Sequence, residues 1–169
     1  MIGSSGNFSS GNWTSVNVTS LVTGNGVYDL VLTTTSGSNI NLNSRDASGN
    51  RPQLVIQTTT SIPPTATGTS TSTPTQTPTS AVTSTPTPTG GSGSTLTFTT
   101  VADARVAQSS PTTNYGTQTN LQADGDAGIV QTSYIRFNAS GISGTIQSVK
   151  LRVFCTTNGT TNGPAVPGG

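Results

Sequence analysis

The chain has 169 residues, of which six are Arg or Lys and five are acidic, so its formal net charge is +1. Charged residues make up 7% of it, against roughly 25% in an ordinary soluble domain, and so few cations argue against the basic face that nucleic acid requires. The absence of His excludes Ser-His and Cys-His nucleophiles, and a single cysteine excludes an internal disulfide and a Cys-rich zinc site.

Residues 1–57 have the alternating pattern of β-strands. Thr, Val, Ile and Ser dominate over strong helix formers, and stiff β-branched side chains suit a pleated sheet. Asn25-Gly26 stands between two apolar runs, which predicts a strand, a turn and a second strand. The predicted strands of this segment cover residues 13–18, 27–32, 40–42 and 53–57.

Residues 58–94 differ sharply in composition from the rest. This stretch is rich in Thr, Ser and Pro and carries no charge, so it cannot bury enough apolar surface to offset its chain entropy. We predict a disordered or extended linker that would reach about 110 Å at ~3.1 Å per residue. It could be a passive spacer or an O-glycosylated stalk. The candidate acceptors are Thr73, Thr75, Thr77, Thr79, Thr85 and Thr87.

Residues 95–169 return to a period of two. The large apolar set is Ile135, Phe137, Val149, Leu151, Val153 and Cys155, and the polar set that alternates with it is Tyr134, Arg136, Lys150 and Arg152. One apolar and one polar face predict an antiparallel sheet covered on one side, and two such sheets make a sandwich. The fold is therefore predicted to be all-β, with jelly-roll-like antiparallel sandwich halves joined by the linker. No apolar run approaches the ~20 residues of a membrane span.

Short motifs recur in order along both ends of the chain. The tail carries Val-Ala-Asp-Ala-Arg-Val at 101–106, Asn-Tyr-Gly at 114–116, Leu121, Ser-Tyr-Ile-Arg-Phe at 133–137 and Val-Lys-Leu-Arg-Val at 149–153. The head carries Val-Thr-Ser-Leu-Val at 18–22, Ser-Arg-Asp at 44–46 and Arg-Pro-Gln-Leu-Val at 51–55. In these motifs the tail resembles the opening half, and the head the closing half, of the DNRLRE-type domain. This family, also called the disaggregatase-related repeat, comprises β-sandwich modules of secreted bacterial and archaeal proteins.

The two resembled halves stand in reversed order, which predicts a closing half at 1–57, the linker at 58–94 and an opening half at 95–169. Neither half should be stable alone, because each leaves an apolar face wet and strand edges unpaired. The chain could be cut through two neighbouring domains of a longer protein. Alternatively, the head of one copy completes the tail of another, and repetition of that contact gives an open filament. We expect the second arrangement, with other copies of the chain as partners.

The resemblance also implies a binding role, since some members of the family bind acidic polysaccharides such as alginate. Aromatic rings stack on sugars and cations pair with uronate carboxylates. The outward candidates are Tyr134, Arg136, Lys150 and Arg152. The alternative is a solvated face with scattered cations. Trp13 and Tyr115 are expected as core or turn anchors instead.

Other candidate sites are less specific. Asp124-Gly125-Asp126 could hold Ca²⁺ in an oxygen-rich loop, but a polar turn is the expected reading, and no other cofactor or metal is expected. Cys155 is expected to be a buried, inert thiol. Five sequons offer N-glycosylation acceptors, namely Asn7, Asn12, Asn17, Asn138 and Asn158.

No catalytic residues are predicted. Glycoside hydrolysis needs two carboxyl groups at a defined separation, and the five aspartates form no such constellation in the sequence. We therefore expect a non-enzymatic, extracellular structural or adhesive repeat, with no nucleic-acid partner and no membrane span. The alternative is a carbohydrate-binding module of a secreted multidomain enzyme.

Overall fold

A computed structural model describes residues 2–60, 92–157 and 165–166. Every regular element within these ranges is a β-strand, as the composition predicts, and no helix there could cross a bilayer. The strands are β1 Gly3–Ser4, β2 Trp13–Asn17, β3 Gly26–Leu32, β4 Ile40–Asn43, β5 Gln53–Thr60, β6 Ser92–Thr99, β7 Ala102–Ala107, β8 Asn120–Ala123, β9 Gln131–Ala139, β10 Thr145–Thr157 and β11 Ala165–Val166.

Two antiparallel sheets form the body of the sandwich. The larger sheet has the order β6-β5-β10-β4-β8, and β2 also pairs with β10, on the edge opposite β5. The smaller sheet has the order β3-β9-β7. A third, two-stranded sheet joins β1 to β11 near the ends of the chain. The predicted fold class, an all-β antiparallel sandwich, is confirmed.

The core lies between the inward faces of the two sheets. Ile135 and Phe137 of β9 face Val149, Leu151 and Val153 of β10 across it, and all five side chains are buried in one continuous apolar cluster. The intervening residues of both strands point outward, so the predicted period of two is confirmed. Full burial of a Leu or Phe side chain contributes about 1.5–3 kcal/mol, which makes this cluster the main source of stability.

The N-terminal and C-terminal segments pair with each other inside one chain. β10 lies between β2 and β5, β9 pairs with β3, and β8 pairs with β4, so both sheets contain strands from both segments. The apolar face of each segment is thus covered by the other segment of the same molecule. Completion of the sandwich by a second copy, which we expected from the reversed order, has no support in this structure.

The strands extend beyond the predicted linker boundaries. Thr58, Thr59 and Thr60 of β5 pair with Ser94, Gly93 and Ser92 of β6, although the sequence places residues 58–94 in the linker. Threonine has a high β-propensity, and Thr58 is buried, which explains why the ladder continues into this composition. Residues 61–91, with all six O-glycosylation candidates, lie outside the described residues.

The turn between β9 and β10 brings glycine backbone against the end of β5. Gly144 has φ of 80°, and a Cβ placed on it would lie 2.5 Å from the Thr59 carbonyl oxygen. Only glycine adopts this left-handed conformation without penalty and also leaves room for that oxygen. Gly141 of the same turn has φ of 73°, but a Cβ placed on it would have no heavy atom within 4 Å.

We expect Gly144→Ala to lower the free energy of unfolding by about 2 kcal/mol or more, because backbone strain and the clash with Thr59 add together. Gly141→Ala is the matched control and should cost only the strain, about 1 kcal/mol. Urea unfolding of both variants measures the difference. Equal losses would show that the approach to Thr59 does not constrain the turn.

Candidate functional site

The four predicted binding residues lie on opposite sides of the sandwich. Tyr134 and Arg136 point outward from β9 in the smaller sheet, whereas Lys150 and Arg152 point outward from β10 in the larger sheet. The buried core separates the two pairs. Alternation in the sequence gave the outward direction of each side chain correctly, but it holds no information on which sheet a strand joins.

Lys150 and Arg152 belong to a surface that we call the Trp13 face, the outward positions of β2, β10 and β5. Trp13 is paired in register with Phe154, and their rings meet edge to face with centroids 5.6 Å apart. The Arg152 guanidinium carbon lies 4.6 Å from the centre of the Trp13 ring, and Nη1 donates to Gln53 Oε1 at 3.1 Å. The cation is therefore fixed in orientation by a cation–π contact and a hydrogen bond.

Trp13 is thus neither a core residue nor a turn anchor, contrary to the sequence prediction. It is partly exposed on β2 and supports Arg152 from the neighbouring strand. The sequence offers no signal for this contact, because residues 13 and 152 come together only through long-range strand pairing.

The Trp13 face carries positive charge without a carboxylate. Lys150 is exposed, and its register neighbours are Asn17 on β2 and Val55 on β5. The six strands of the larger sheet contain no Asp or Glu. The two ion pairs within the described ranges, Arg45–Asp46 and Arg136–Asp29, both lie outside this sheet. Lys150 and Arg152 are therefore free of acidic partners on their own face.

Amide side chains continue this surface across the larger sheet. On β4 and β8, Asn41 Oδ1 accepts hydrogen bonds from Gln122 Nε2 at 2.5 Å and Asn120 Nδ2 at 3.2 Å. On the other side of Lys150, Ser148 Oγ donates to Gln57 Oε1 at 2.6 Å. Amides and hydroxyls in ordered positions offer donors and acceptors to a polar ligand without adding net charge.

Arg136 and Asp29 form a bidentate ion pair on the smaller sheet. They are direct cross-strand neighbours, with Nε 2.7 Å from Oδ1 and Nη2 2.8 Å from Oδ2. The hydrogen bond from Arg136 lowers the pKa of Asp29, and the same contact raises the pKa of Arg136. Both groups are well exposed, so the pair adds little stability. Its main effect is to neutralise the cation that the sequence suggested for binding a carboxylate.

Three of the motifs that carry the family resemblance meet at one edge of the sandwich. Asp103 of β7 accepts a hydrogen bond from the Arg45 backbone N–H at 2.5 Å, which ties the motif at 101–106 to the turn at 44–46. The Arg105 guanidinium carbon lies 4.4 Å from the centre of the Tyr115 ring, in the Asn-Tyr-Gly motif. These contacts are structural, and they hold the segment around 114–118 against β7.

Burial shapes the electrostatics of this edge. Desolvation raises the pKa of Asp103, partly offset by the hydrogen bond from Arg45. Desolvation also lowers the pKa of Arg105, whose Nε and Nη1 are buried without an acceptor among the described residues. The Arg105 guanidinium instead stacks on the Tyr115 ring. The sequence prediction of Tyr115 as an anchor agrees with this placement.

The aspartates at 124 and 126 form a compact turn. Asp124 is 3% exposed, and its Oδ1 accepts the backbone N–H of Asp126 at 3.0 Å. The Asp126 carboxylate packs so closely on Gly37 that a Cβ there would overlap it. Within residues 2–60, 92–157 and 165–166, no three acidic, His or Cys side chains group together as metal ligands. Calcium binding at this turn stays a prediction.

The remaining candidates are placed as follows. The Cys155 side chain is buried in the core, as expected. The asparagines of four sequons are exposed, and Asn17 Oδ1 also accepts hydrogen bonds from the N–H and hydroxyl of Thr19. The fifth, Asn158, lies outside the described residues. The exposed four are Asn7, Asn12, Asn17 and Asn138.

Replacement of Asp103 by Asn should alter the pH dependence of stability. An acid whose folded pKa is raised binds its proton more tightly in the folded state, so wild-type stability falls as pH rises from 3.8 through the raised pKa. Asn keeps an acceptor for Arg45 but does not titrate. We expect the Tm of D103N minus that of the wild type to increase over this pH range and then level off.

The control is Asp29→Asn, because the lowered pKa of Asp29 gives the opposite sign. The stabilisation that Asp29 gives the wild type is present above pH 3.8 and is lost as pH falls through the lowered pKa. This stabilisation is small, because the ion pair with Arg136 is exposed. A Tm difference for D103N that is constant from pH 3 to pH 7 would contradict the desolvation of Asp103.

Comparison with known proteins adds one match. Residues 94–166 match the family model of carbohydrate-binding module family 96. The matched range covers less than half of the chain, and it includes β7 to β10 and thus Tyr134, Arg136, Lys150 and Arg152. No curated protein and no solved structure matches the chain. The match supports a resemblance to a carbohydrate-binding module family, while the division into DNRLRE-type halves stays a prediction.

Proposed function

We propose that the protein binds an acidic polysaccharide through the Trp13 face. One observation carries the proposal: Arg152 stacks on Trp13, and Lys150 points outward from the same strand, in a sheet whose strands contain no acidic residue. The match of residues 94–166 to a carbohydrate-binding module family supports the same reading.

The chemistry of the face fits a uronate polymer. Arg152 offers planar N–H donors to a carboxylate, and Lys150 offers a mobile ammonium group on the same strand. The edges and faces of Trp13 and Phe154 give an apolar surface for the C–H side of a sugar ring. Because Trp13 and Gln53 already hold Arg152, less side-chain entropy is lost when the ligand binds.

The shape of the face favours a chain over a single sugar. Outward residues of one strand repeat every ~6.7 Å, so Lys150 and Arg152 form a line of charge along β10. Amides on β4, β5 and β8 extend polar contacts to both sides of that line. The proposal includes an extracellular location and a binding role without catalysis, as in carbohydrate-binding module families.

Removal of both cations should abolish most of the binding. We expect the double variant Lys150→Ala with Arg152→Ala to lose at least about tenfold in affinity for alginate and polygalacturonate, since each lost charge pair removes a substantial favourable term. Affinity electrophoresis at several salt concentrations measures this, and wild-type retention should weaken as salt rises.

Arg45→Gln provides a single-charge control, because Arg45 lies in the turn at 44–46 and its guanidinium contacts the Val101 carbonyl oxygen and Asp46. It removes one positive charge from outside the Trp13 face and should leave retention nearly unchanged. Unchanged retention of the double variant, with its Tm also unchanged, would show that the Trp13 face is not the binding surface.

A structural role with self-association is a second candidate, because the strand order permits exchange between copies. Both sheets combine strands from 2–60 and 92–157, and only residues 61–91 join these segments. The same pairings could therefore form between two chains, by exchange of one segment, at no cost in core contacts.

Light scattering across a wide range of protein concentrations tests this exchange. If exchange occurs, the protein should form multiples of the 17.0 kDa chain that persist on dilution, because unpairing requires the whole core to open. A single 17.0 kDa species after refolding at high concentration would reject the self-association.

A further inference from the structure

The exposed large hydrophobic side chains of the described residues lie on strands of the smaller sheet or in the loops that enter them. We call this surface the Tyr134 face, the outward positions of β3, β9 and β7 with the loops that enter β7 and β9. The six side chains are 39–58% exposed and are Val27, Val101, Val106, Ile129, Val130 and Tyr134. Such collections on a soluble protein mark interaction sites more often than scattered single residues do.

A shallow groove runs through this face beside β7. Ala104 is in register with Tyr134, and Ala102 with Arg136, so two small side chains lie next to two large ones. The result is a trough of about 460 Å³ with an alanine floor and a wall formed by Tyr134 and Arg136. A second depression of about 430 Å³ follows further along β7, between Val106 and Val130. Each volume lies within the range of small-ligand sites.

The groove is lined by two carboxyl groups, Asp29 and Asp103, and one cation, Arg136. Asp29 takes both the Nε and Nη2 donors of Arg136, which cancels the only cation on the wall. Nη1 has no acceptor among the described residues and stays available, as do the outer lone pairs of the Asp29 carboxylate. The ion pair therefore presents a donor and an acceptor side by side without attracting an anion.

From these features we propose that the Tyr134 face is a second saccharide site, which takes a neutral pyranose polymer. The inference rests on the proposed function, in that both sites bind glycans, but it assigns a different surface and a different polymer class. Tyr134 stacks on the C–H face of a sugar ring, and the Arg136–Asp29 pair hydrogen-bonds neighbouring hydroxyl groups. A uronate chain would gain nothing here, because the only cation is already paired.

The size of the face argues against a second copy as the occupant. Three strands at ~4.8 Å spacing and about seven residues in length give a surface of roughly 14 Å by 23 Å. That flat area of the three strands is about 320 Å², well under the roughly 800 Å² that each partner buries in a stable protein interface. A polysaccharide segment a few rings long fits the trough and needs no more surface than this.

The test compares two polymer classes on the intact chain. Affinity electrophoresis would use hydroxyethylcellulose, xylan and galactomannan as neutral polymers, and alginate as the acidic one. We expect at least one neutral polymer to retard the wild type, with retention nearly independent of salt because the polymer carries no charge. Tyr134→Ala should weaken that retention at least about tenfold and leave alginate retention unchanged.

Two variants serve as controls. Tyr134→Phe keeps the ring and should retain binding to within about threefold. The Lys150→Ala, Arg152→Ala double variant should lose alginate retention and keep the neutral polymer, so failure of one site is distinguishable from failure of the other.

Three results would overturn the inference. If none of the three neutral polymers retards the wild type, the face binds no such ligand, and this holds whether or not alginate retards it. Equal neutral retention by the wild type and Tyr134→Ala would place the site elsewhere. A wild-type dimer in light scattering that Tyr134→Ala dissociates would make a second copy the occupant.

Discussion

The fold depends on the pairing of β10 with strands of the N-terminal segment, β2 and β5, along both of its edges. Leu151 illustrates it, because its register neighbours are Val16 of β2 and Leu54 of β5 and its side chain is fully buried. The C-terminal segment cannot cover this strand by itself. Folding must therefore bring together residues more than ninety positions apart before the core gains most of its burial, which is typical of slowly folding β-proteins.

Both candidate faces are products of that pairing. Arg152 meets Trp13 because β2 lies beside β10, and Arg136 meets Asp29 because β3 lies beside β9. In each contact one residue comes from the N-terminal segment and one from the C-terminal segment. The family match covers only the second of these segments, so the residues that orient its cations lie in a part of the chain that the match does not reach.

The local pattern of the sequence predicted which side of each strand is buried, whereas the pairing of distant strands could not be predicted from it. Alternation in 133–137 and 149–155 gave the buried and exposed sides correctly, since a strand with one covered face imposes a period of two. The sequence did not show that Arg136 is neutralised or that Lys150 and Tyr134 face opposite ways, because register between distant strands leaves no local signal. The strand character of Thr58–Thr60 was missed for a related reason: composition resembled the linker, and only the partner β6 makes it a ladder.

The small sheet of β1 and β11 has a topological consequence. Gly3 is in register with Val166, so the beginning and the end of the described chain lie side by side. Residues 61–91 likewise connect β5 and β6, which are neighbours in the larger sheet. A circular permutant could therefore join β11 to β1 and be cut within residues 61–91. It would keep every strand pairing in the two main sheets. In that permutant residues 92–166 come before residues 2–60. The strand pairings of the two main sheets are therefore the same for either order of the two segments.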